Sequence, residues 1–164
     1  MNILVTLNRG YLYQLCVMLS SLIKSNPDTE FDVYVMNASL TEADFEAVRQ
    51  RIPADKCRLI DIKTGENEFA DAPITDRYPR EMYFRIFAAK YLPESLDRIL
   101  YLDPDIVVLG SVKELYETQL DGYYYAAASH VNEVMRMINK IRLGMDDEGP
   151  YICLLYTSPS PRDA

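Results

Sequence analysis

The sequence lacks several of the features on which common functional motifs depend. It has no tryptophan, a single histidine and only 6 glycines in 164 residues. No Gly-x-Gly-x-x-Gly or P-loop segment is present, so the usual glycine-rich phosphate loops are excluded. His130 has no metal-ligand spacing around it, which argues against a histidine and cysteine zinc site. No apolar run reaches the roughly 18 residues of a membrane span, and MNILVTLNRGY lacks the regions of a signal peptide.

Basic residues are also scarce. The chain has 17 Lys and Arg against 25 Asp and Glu, a net charge of −8, which argues against a nucleic-acid surface of clustered Lys and Arg. A phosphate-bearing ligand is still compatible with this charge, because a divalent metal reconciles an acidic protein with an anion. The three cysteines, Cys16, Cys57 and Cys153, form no CxxC pair, which predicts reduced thiols and a cytoplasmic location.

The chain does contain a regular alternation of apolar runs and amphipathic segments. Strands are predicted for the apolar runs and helices for segments with helical spacing. The resulting order, β-α-β-α-β, a long loop, then α-β, predicts an α/β fold with an open, mostly parallel sheet and helices on both faces. Ligands of such sheets bind beyond the carboxyl ends of the strands. The predicted strands are residues 2–7, 31–37, 57–62, 98–102, 105–109 and 122–129, and the main predicted helices are residues 11–24, 39–52 and 80–92. Thr41 is the predicted N-cap of the second of these helices, with Asp44 three residues on in a variant of the capping box.

The stretch RILYLDPDIVVL places two carboxylates in an otherwise apolar run. Asp103 and Asp105 flank Pro104 and directly follow a predicted strand, so they fall at the carboxyl edge of the predicted sheet. Burying unpaired carboxylates is costly, which leaves a turn, a metal site, or a nucleophile with its acid. Two such carboxylates suit one Mg²⁺ or Mn²⁺ completed by water and phosphate, and Pro104 restricts the backbone between them.

A phosphatase is the alternative interpretation of the same stretch. An apolar strand followed by Asp-x-Asp-x-[Thr/Val] resembles the first motif of haloacid-dehalogenase-type phosphatases. Asp103 would then be the nucleophile and Asp105 the general acid, with Val107 in the fifth position. That motif usually lies on the first strand, whereas a long α/β pattern precedes it here. The pair Asp146-Asp147 could mimic the later acidic pair, although the later Ser/Thr and Lys are not evident.

Two further segments carry candidate binding residues. TLNRGY, residues 6–11, is a strand-to-helix turn with one glycine. It is either an ordinary loop or a nucleoside pocket in which Asn8 pairs with a base edge and Tyr11 stacks on the base. Arg85, on the predicted helix 80–92, is either salt-bridged at the surface or clamps a phosphate or a sugar hydroxyl.

Two long segments resemble glycosyltransferase family 8, the family of bacterial lipooligosaccharide galactosyltransferases and glycogenin. They are NILVTLNRGYLYQLCVMLSSL and REMYFRIFAAKYLPESLDRILYLDPDIVVLGSVKELYETQLDGYYYAAAS. They occur in the family's order, and the likeness extends to about Ile152. The resemblance implies a GT-A type, Rossmann-like fold. It also implies retaining transfer of a hexose from a UDP-sugar to a glycan or lipid-linked saccharide acceptor, with Mn²⁺ or alternatively Mg²⁺.

By position, the resemblance assigns the metal-binding and phosphate-binding residues. Asp103 and Asp105 match the acids that hold Mn²⁺ against the diphosphate, with Asp103 also near the ribose and Pro104 between them. The metal would offset charge on the departing UDP. Arg85 matches the arginine that contacts the donor.

The resemblance also assigns the nucleoside-binding segment. Thr6, Asn8 and Tyr11 match the residues that receive uracil, although the family often has an acid where Asn8 stands. His130 falls where many members have an aspartate near the sugars.

The end of the chain departs from the family. After GPYI the family would continue with Asn, a small residue and Gly, whereas CLLYTSPSPRDA fits nothing in it and resembles translated sequencing-adapter DNA. We therefore expect residues 1–152 to be the N-terminal nucleotide-sugar-binding part and residues 153–164 to be a non-native, disordered tail. The later histidine of the metal site and most acceptor contacts would be missing, which predicts an inactive fragment. The parent would be cytoplasmic or peripheral at the inner membrane face.

A third hypothesis is a UDP-sugar-binding module without catalysis. It would use the same residues for binding and would show neither hydrolysis nor transfer, even after the expected missing part is restored.

Overall fold

The computed structural model describes residues 1–65, 69, 80–123 and 126–127. Its regular elements all lie in one compact unit, Met1–Thr118, and the second unit comprises Gln119–Ala164. In chain order they are β1 (Asn2–Thr6), a 3₁₀ turn (Arg9–Tyr11), α1 (Leu12–Ser25), β2 (Phe31–Asn37), α2 (Glu42–Arg49), β3 (Cys57–Lys63), a 3₁₀ segment (Arg80–Lys90), β4 (Leu100–Tyr101) and α3 (Lys113–Tyr116).

The four strands form one parallel sheet in the order β3-β2-β1-β4. Leu4 of β1 lies opposite Tyr34 of β2 on one side and Tyr101 of β4 on the other. Tyr34 in turn pairs with Ile60 of β3. All four carboxyl ends therefore meet at the same edge, which confirms the predicted parallel α/β sheet.

Both faces of the sheet are covered. On one face, residues such as Ile3, Val5 and Val33 pack with the apolar side of α1, including Leu19. On the other face a separate cluster consists of Leu4, Tyr34, Met36, Phe84 and Ala88. This alternation follows from the strand period of two, and a strand covered on both sides needs a nearly continuous apolar sequence. The prediction of helices on both faces is confirmed.

The segment that covers the second face is not the predicted α-helix. Residues Arg80–Lys90 form 3₁₀ turns that are interrupted at Phe87, where φ is −111° and ψ is 23°. The Nε of Arg85 donates a hydrogen bond to the Met82 carbonyl at 2.8 Å. A side chain thus occupies a carbonyl that an α-helix would pair with the amide of Ile86.

The predicted fifth strand, residues 105–109, is also wrong. The backbone of Val108 is bonded instead to two serines of α1: its N–H donates to Ser21 Oγ at 2.9 Å, and Ser25 Oγ donates to its carbonyl at 2.9 Å. Further on, the Val112 N–H donates to Asn26 Oδ1 at 3.0 Å. Because α1 side chains satisfy these backbone groups, the segment runs along α1 rather than in the sheet.

The described residues of the second unit form a tight turn. The Tyr123 N–H donates to the Leu120 carbonyl at 2.7 Å, and Asp121 and Gly122 have φ values of 45° and 89°. Positive φ at both central positions is the type I′ geometry that β-hairpins favour. Most of the strand predicted for residues 122–129 lies outside the described residues.

The start of α2 confirms the predicted capping box. Thr41 Oγ1 accepts the Asp44 N–H at 3.4 Å, and Asp44 Oδ2 accepts the Thr41 N–H at 2.9 Å. The hydrogen bond from the Thr41 backbone is the largest cause that lowers the pKa of Asp44 from its ordinary value. The reciprocal pair satisfies amides that the first helical turn leaves free.

Asp44→Asn should lower the urea midpoint at neutral pH, and its difference from the wild type should shrink in acid. Since the folded-state pKa lies below the unfolded value of about 3.9, the carboxylate's stabilisation is complete above the unfolded value and is lost as the pH falls from there through the folded-state pKa. Urea denaturation at neutral pH and at about pH 3 measures the difference. Asp28→Asn, at an exposed position, is the control, and an equal difference at both pH values would contradict the prediction.

None of the helices in the described parts of the chain has the length and apolarity that crossing a membrane requires.

Candidate functional site

The carboxyl edge of the sheet brings the ends of β1 and β4 together. The Leu102 N–H donates to the Leu4 carbonyl at 3.0 Å, which continues the β1–β4 ladder one step past β4. Thr6, Tyr101 and Asp103 therefore follow the face of Leu4, because residues two apart in a strand share a face. Polar side chains from two neighbouring strands meet at this point.

Three of these side chains form one hydrogen-bonded cluster with Arg85 of the 3₁₀ segment. Tyr101 Oη donates to Asp103 Oδ1 at 2.6 Å, and Arg85 Nη1 donates to the same oxygen at 3.2 Å. Thr6 Oγ1 lies 3.4 Å from Tyr101 Oη. The structure thus brings together three of the predicted site residues and adds Tyr101, which the sequence reasoning missed.

The cluster is organised around a nearly buried arginine. The Arg85 side chain is 8% exposed and that of Asp103 is 21% exposed. The guanidinium carbon lies 4.4 Å from the centre of the Tyr101 ring. A buried cation needs a nearby anion and donors matched to acceptors, and Asp103 supplies the anion. Burial raises the pKa of Tyr101 well above its ordinary value, so its phenol remains a hydrogen-bond donor.

Asp103 and Asp105 are two carboxylates, the donor type that hard divalent cations prefer. Pro104 between them is buried, whereas Asp105 is exposed. Both hydrogen bonds described for Asp103 involve Oδ1, so the contacts of its carboxylate concentrate on one oxygen. No group of three or more His, Cys, Asp or Glu occurs among the described residues. Two carboxylates of this kind match Mg²⁺ or Mn²⁺ when water and phosphate oxygens complete the shell.

The turn after β1 is organised by its own side chain. Asn8 Oδ1 accepts the Gly10 N–H at 2.9 Å, and the Tyr11 N–H donates to the Asn8 carbonyl at 3.1 Å. A Cβ at position 10 would lie 3.1 Å from Asn8 Oδ1, so glycine allows the close approach. Tyr11 is 36% exposed. Among the described residues, no hydrogen bond or ion pair links Asn8 or Tyr11 to the Asp103 cluster.

Sequence reasoning missed a second polar network, at the carboxyl ends of β2 and β3. Asn37 is completely buried. Its Nδ2 donates to Asp61 Oδ1 at 2.7 Å, and its Oδ1 accepts from the Leu40 N–H at 2.9 Å and from Lys63 Nζ at 2.7 Å. The sequence feature that could have revealed this network is an asparagine at the end of the apolar run FDVYVMN. The feature that could have revealed Tyr101 is its position two residues before Asp103, which places both residues on one face of the strand.

Several predicted positions lie outside the described residues. They are His130, the pair Asp146-Asp147 that the phosphatase alternative invokes, and residues 153–164 of the expected tail.

A family model and curated relatives of this chain are both glycosyltransferases. The model of Glycosyl transferase family 8 matches residues 2–150. The chain is 28% identical over 140 residues to a lipopolysaccharide 1,2-glucosyltransferase of Escherichia coli strain K12, covering 85% of this chain and 40% of that protein. It is 28% identical over 120 residues to a lipopolysaccharide 1,3-galactosyltransferase of Salmonella typhimurium, covering 71% and 34%.

A solved structure has the same fold. The crystal structure of the galactosyltransferase LgtC, in complex with donor and acceptor sugar analogues, superposes with a TM-score of 0.78 at 26% identity. The match covers 96% of this chain and 56% of LgtC. The chain therefore spans less than half of the length of the two curated relatives and little more than half of LgtC. The GT-A type, Rossmann-like fold implied by the sequence is confirmed.

The Arg85–Asp103 ion pair predicts that substitutions of Asp103 and of Asp105 change the stability of the chain by different amounts. Asp103→Asn should destabilise the metal-free chain by on the order of 2 kcal/mol, because it leaves the nearly buried Arg85 without its counter-ion. Asp105→Asn, at an exposed position, should change the free energy of unfolding by less than about 0.5 kcal/mol. Urea denaturation in the presence of a chelator measures both, and equal losses would contradict the arrangement.

Proposed function

Because the chain belongs to glycosyl transferase family 8, we propose that the whole protein is a metal-dependent, retaining glycosyltransferase. It would move a hexose from a UDP-sugar to a glycan or lipid-linked saccharide acceptor. The observation that carries the proposal is the cluster of Thr6, Arg85, Tyr101 and Asp103 at the carboxyl edge of the sheet. Open α/β sheets bind their ligands at this edge.

At the diphosphate end, Asp103 and Asp105 would be the two protein ligands of Mn²⁺ or Mg²⁺. When bound, such a metal offsets the charge that develops on the departing UDP. The chain's own contribution is to hold Asp103 in place: Tyr101 and Arg85 both bond to Oδ1. Arg85 brings a positive charge to the same point, which favours an anionic diphosphate.

At the nucleoside end, Thr6, Asn8 and Tyr11 would receive uracil. Since Asn8 Oδ1 already accepts the Gly10 N–H, the amide Nδ2 is the group that Asn8 offers, and the carbonyl oxygens of uracil are suitable acceptors. The exposed part of the Tyr11 ring supports stacking on the base.

The proposal includes a cytoplasmic location. Cys16 and Cys57 are buried free thiols, and burial raises the pKa of Cys57 to about 12. Unpaired thiols of this kind are typical of a reducing compartment.

The domain assignment is part of the same proposal. Residues 1–152 would form the nucleotide-sugar-binding part, and residues 153–164 would be non-native, so that the chain binds the donor without transferring the sugar. Genomic DNA read past the codon for Ile152 should continue into Asn, a small residue and Gly, and later into a histidine-glycine-lysine motif. A transcript that encodes the present tail would contradict this assignment.

UDP should bind to the chain in the presence of Mn²⁺ and should bind much more weakly after chelation, because the metal joins the acids to the diphosphate. Asp105→Asn should weaken the binding by tenfold or more, corresponding to about 1.4 kcal/mol. Isothermal titration calorimetry measures both effects. Asp105→Asn tests the metal ligands more directly than Asp103→Asn, because it is expected to leave the fold intact.

Two controls separate this proposal from its alternatives. Asp121→Asn, at an exposed position in the second unit, removes the same charge elsewhere and should leave UDP binding unchanged. Wild-type chain that gives no heat with UDP and Mn²⁺ would refute donor binding, and hydrolysis of a phosphoester without nucleotide would instead favour the phosphatase. A binding-only module would bind UDP-sugar without transfer after the remainder of the protein is restored.

A further inference from the structure

Arg9 connects the turn that carries Asn8 and Tyr11 to the start of α2. Its Nε donates to Asp44 Oδ1 at 2.9 Å, with Arg9 76% exposed and Asp44 only 4% exposed. Among the hydrogen bonds and ion pairs of the described residues, this is the one that joins a side chain of residues 8–11 to another element. The other recorded bonds of residues 8–11 stay within that segment or reach the first residue of α1, whereas the preceding Leu7 N–H donates to the Met36 carbonyl of β2 at 3.3 Å.

Asp44 is a rigid partner for such a contact. Its other carboxylate oxygen, Oδ2, accepts the Thr41 N–H at 2.9 Å and the Thr41 hydroxyl at 2.8 Å. These bonds and the amino end of α2 favour the ionised carboxylate. Arg9 therefore meets an acceptor whose position is already fixed by the capping box.

Leu40, the residue before the capping box, is hydrogen-bonded to the sheet. The Leu40 N–H donates to Asn37 Oδ1 at 2.9 Å, and Lys63 Nζ donates to the Leu40 carbonyl at 2.5 Å. Asn37 and Lys63 are the paired last residues of β2 and β3. A continuous chain of hydrogen bonds thus runs from the carboxyl edge of the sheet through the capping box to Arg9.

An exposed ion pair of this kind contributes little to global stability. Its effect is local: it limits the conformations of residues 8–11, whose other recorded side-chain hydrogen bond, from the Gly10 N–H to Asn8 Oδ1, lies within the segment. A ligand that needs the turn in one conformation then binds without having to order it.

We propose that Arg9 and Asp44 form a positioning pair for the nucleoside end of the donor site. The pair holds the turn so that the Asn8 amide and the Tyr11 ring are presented together to the base. The inference rests on the proposed function and deepens it, because it adds two residues that the sequence did not assign to the donor site. Neither residue is assigned a contact with the base itself.

Arg9→Gln should weaken binding at the nucleoside end of the site and leave binding at the diphosphate end nearly unchanged. The affinity of the chain for UDP with Mn²⁺ should fall about fivefold to tenfold, which is the range of coupling between contacting residues. The affinity for inorganic pyrophosphate with Mn²⁺ should stay within about twofold, because pyrophosphate has no base to position. Calorimetric titration of the wild-type chain and the variant with both ligands measures this difference.

Asp44→Asn distinguishes positioning from simple attraction between Arg9 and the phosphates. Removing an acid makes the chain less negative, so charge alone predicts tighter UDP binding. Positioning predicts weaker binding, and it predicts that the double variant loses no more than the worse single variant. Arg58→Gln is the matched control: it breaks a similar exposed pair, Arg58 Nε to Asp32 Oδ1 at 2.8 Å, at the opposite edge of the sheet.

The outcomes separate this inference from the proposed function. A wild-type chain that binds neither UDP nor pyrophosphate overturns the proposed function and the positioning pair with it. A wild-type chain that binds UDP while Arg9→Gln binds it equally well overturns the pair alone. Equal losses for UDP and pyrophosphate, or tighter UDP binding by Asp44→Asn, also overturn the pair.

Discussion

The burial of β1 on both faces is the constraint on which the rest of the structure depends. Ile3 and Val5 face one apolar cluster and Leu4 faces the other, so the middle of the strand has no room for unpaired polar groups. Polar side chains begin only where the strand ends, at Thr6. Because the neighbouring strands are parallel, the polar residues that follow their apolar stretches, Asn37 and Asp103, lie at the same carboxyl edge.

At that edge one carboxylate has two tasks. Asp103 neutralises Arg85, whose guanidinium has little access to water, and in the proposed function it also binds a divalent cation. A cation bound there would share the carboxylate with Arg85, so metal affinity and the stability of the cluster would be coupled. The Tyr101 hydroxyl would then hold the shared oxygen while the charges around it change.

Local sequence patterns predicted the elements that depend on local physics. The apolar runs predicted β1, β2 and β3, and Thr41 with Asp44 predicted the cap of α2. The patterns failed where a side chain bonds to the backbone in place of a regular strand or helix. Ser21 and Ser25 bond to Val108 in place of a fifth strand, and Arg85 bonds to the Met82 carbonyl within the kinked segment. For the site, the acids and Arg85 were predicted, whereas the Arg9–Asp44 contact depends on how the elements pack.

The attachment of Val108 to α1 has a consequence for the order in which the protein is made. The Ser21–Val108 contact spans 87 residues, and Leu102 pairs with Leu4 on the other side of the acids. The partners in the first βα unit, Leu4 and Ser21, are therefore synthesised long before the acids, and such distant contacts form late in folding. In the proposed function, an error in the first βα unit would thus weaken metal binding at a site far along the chain.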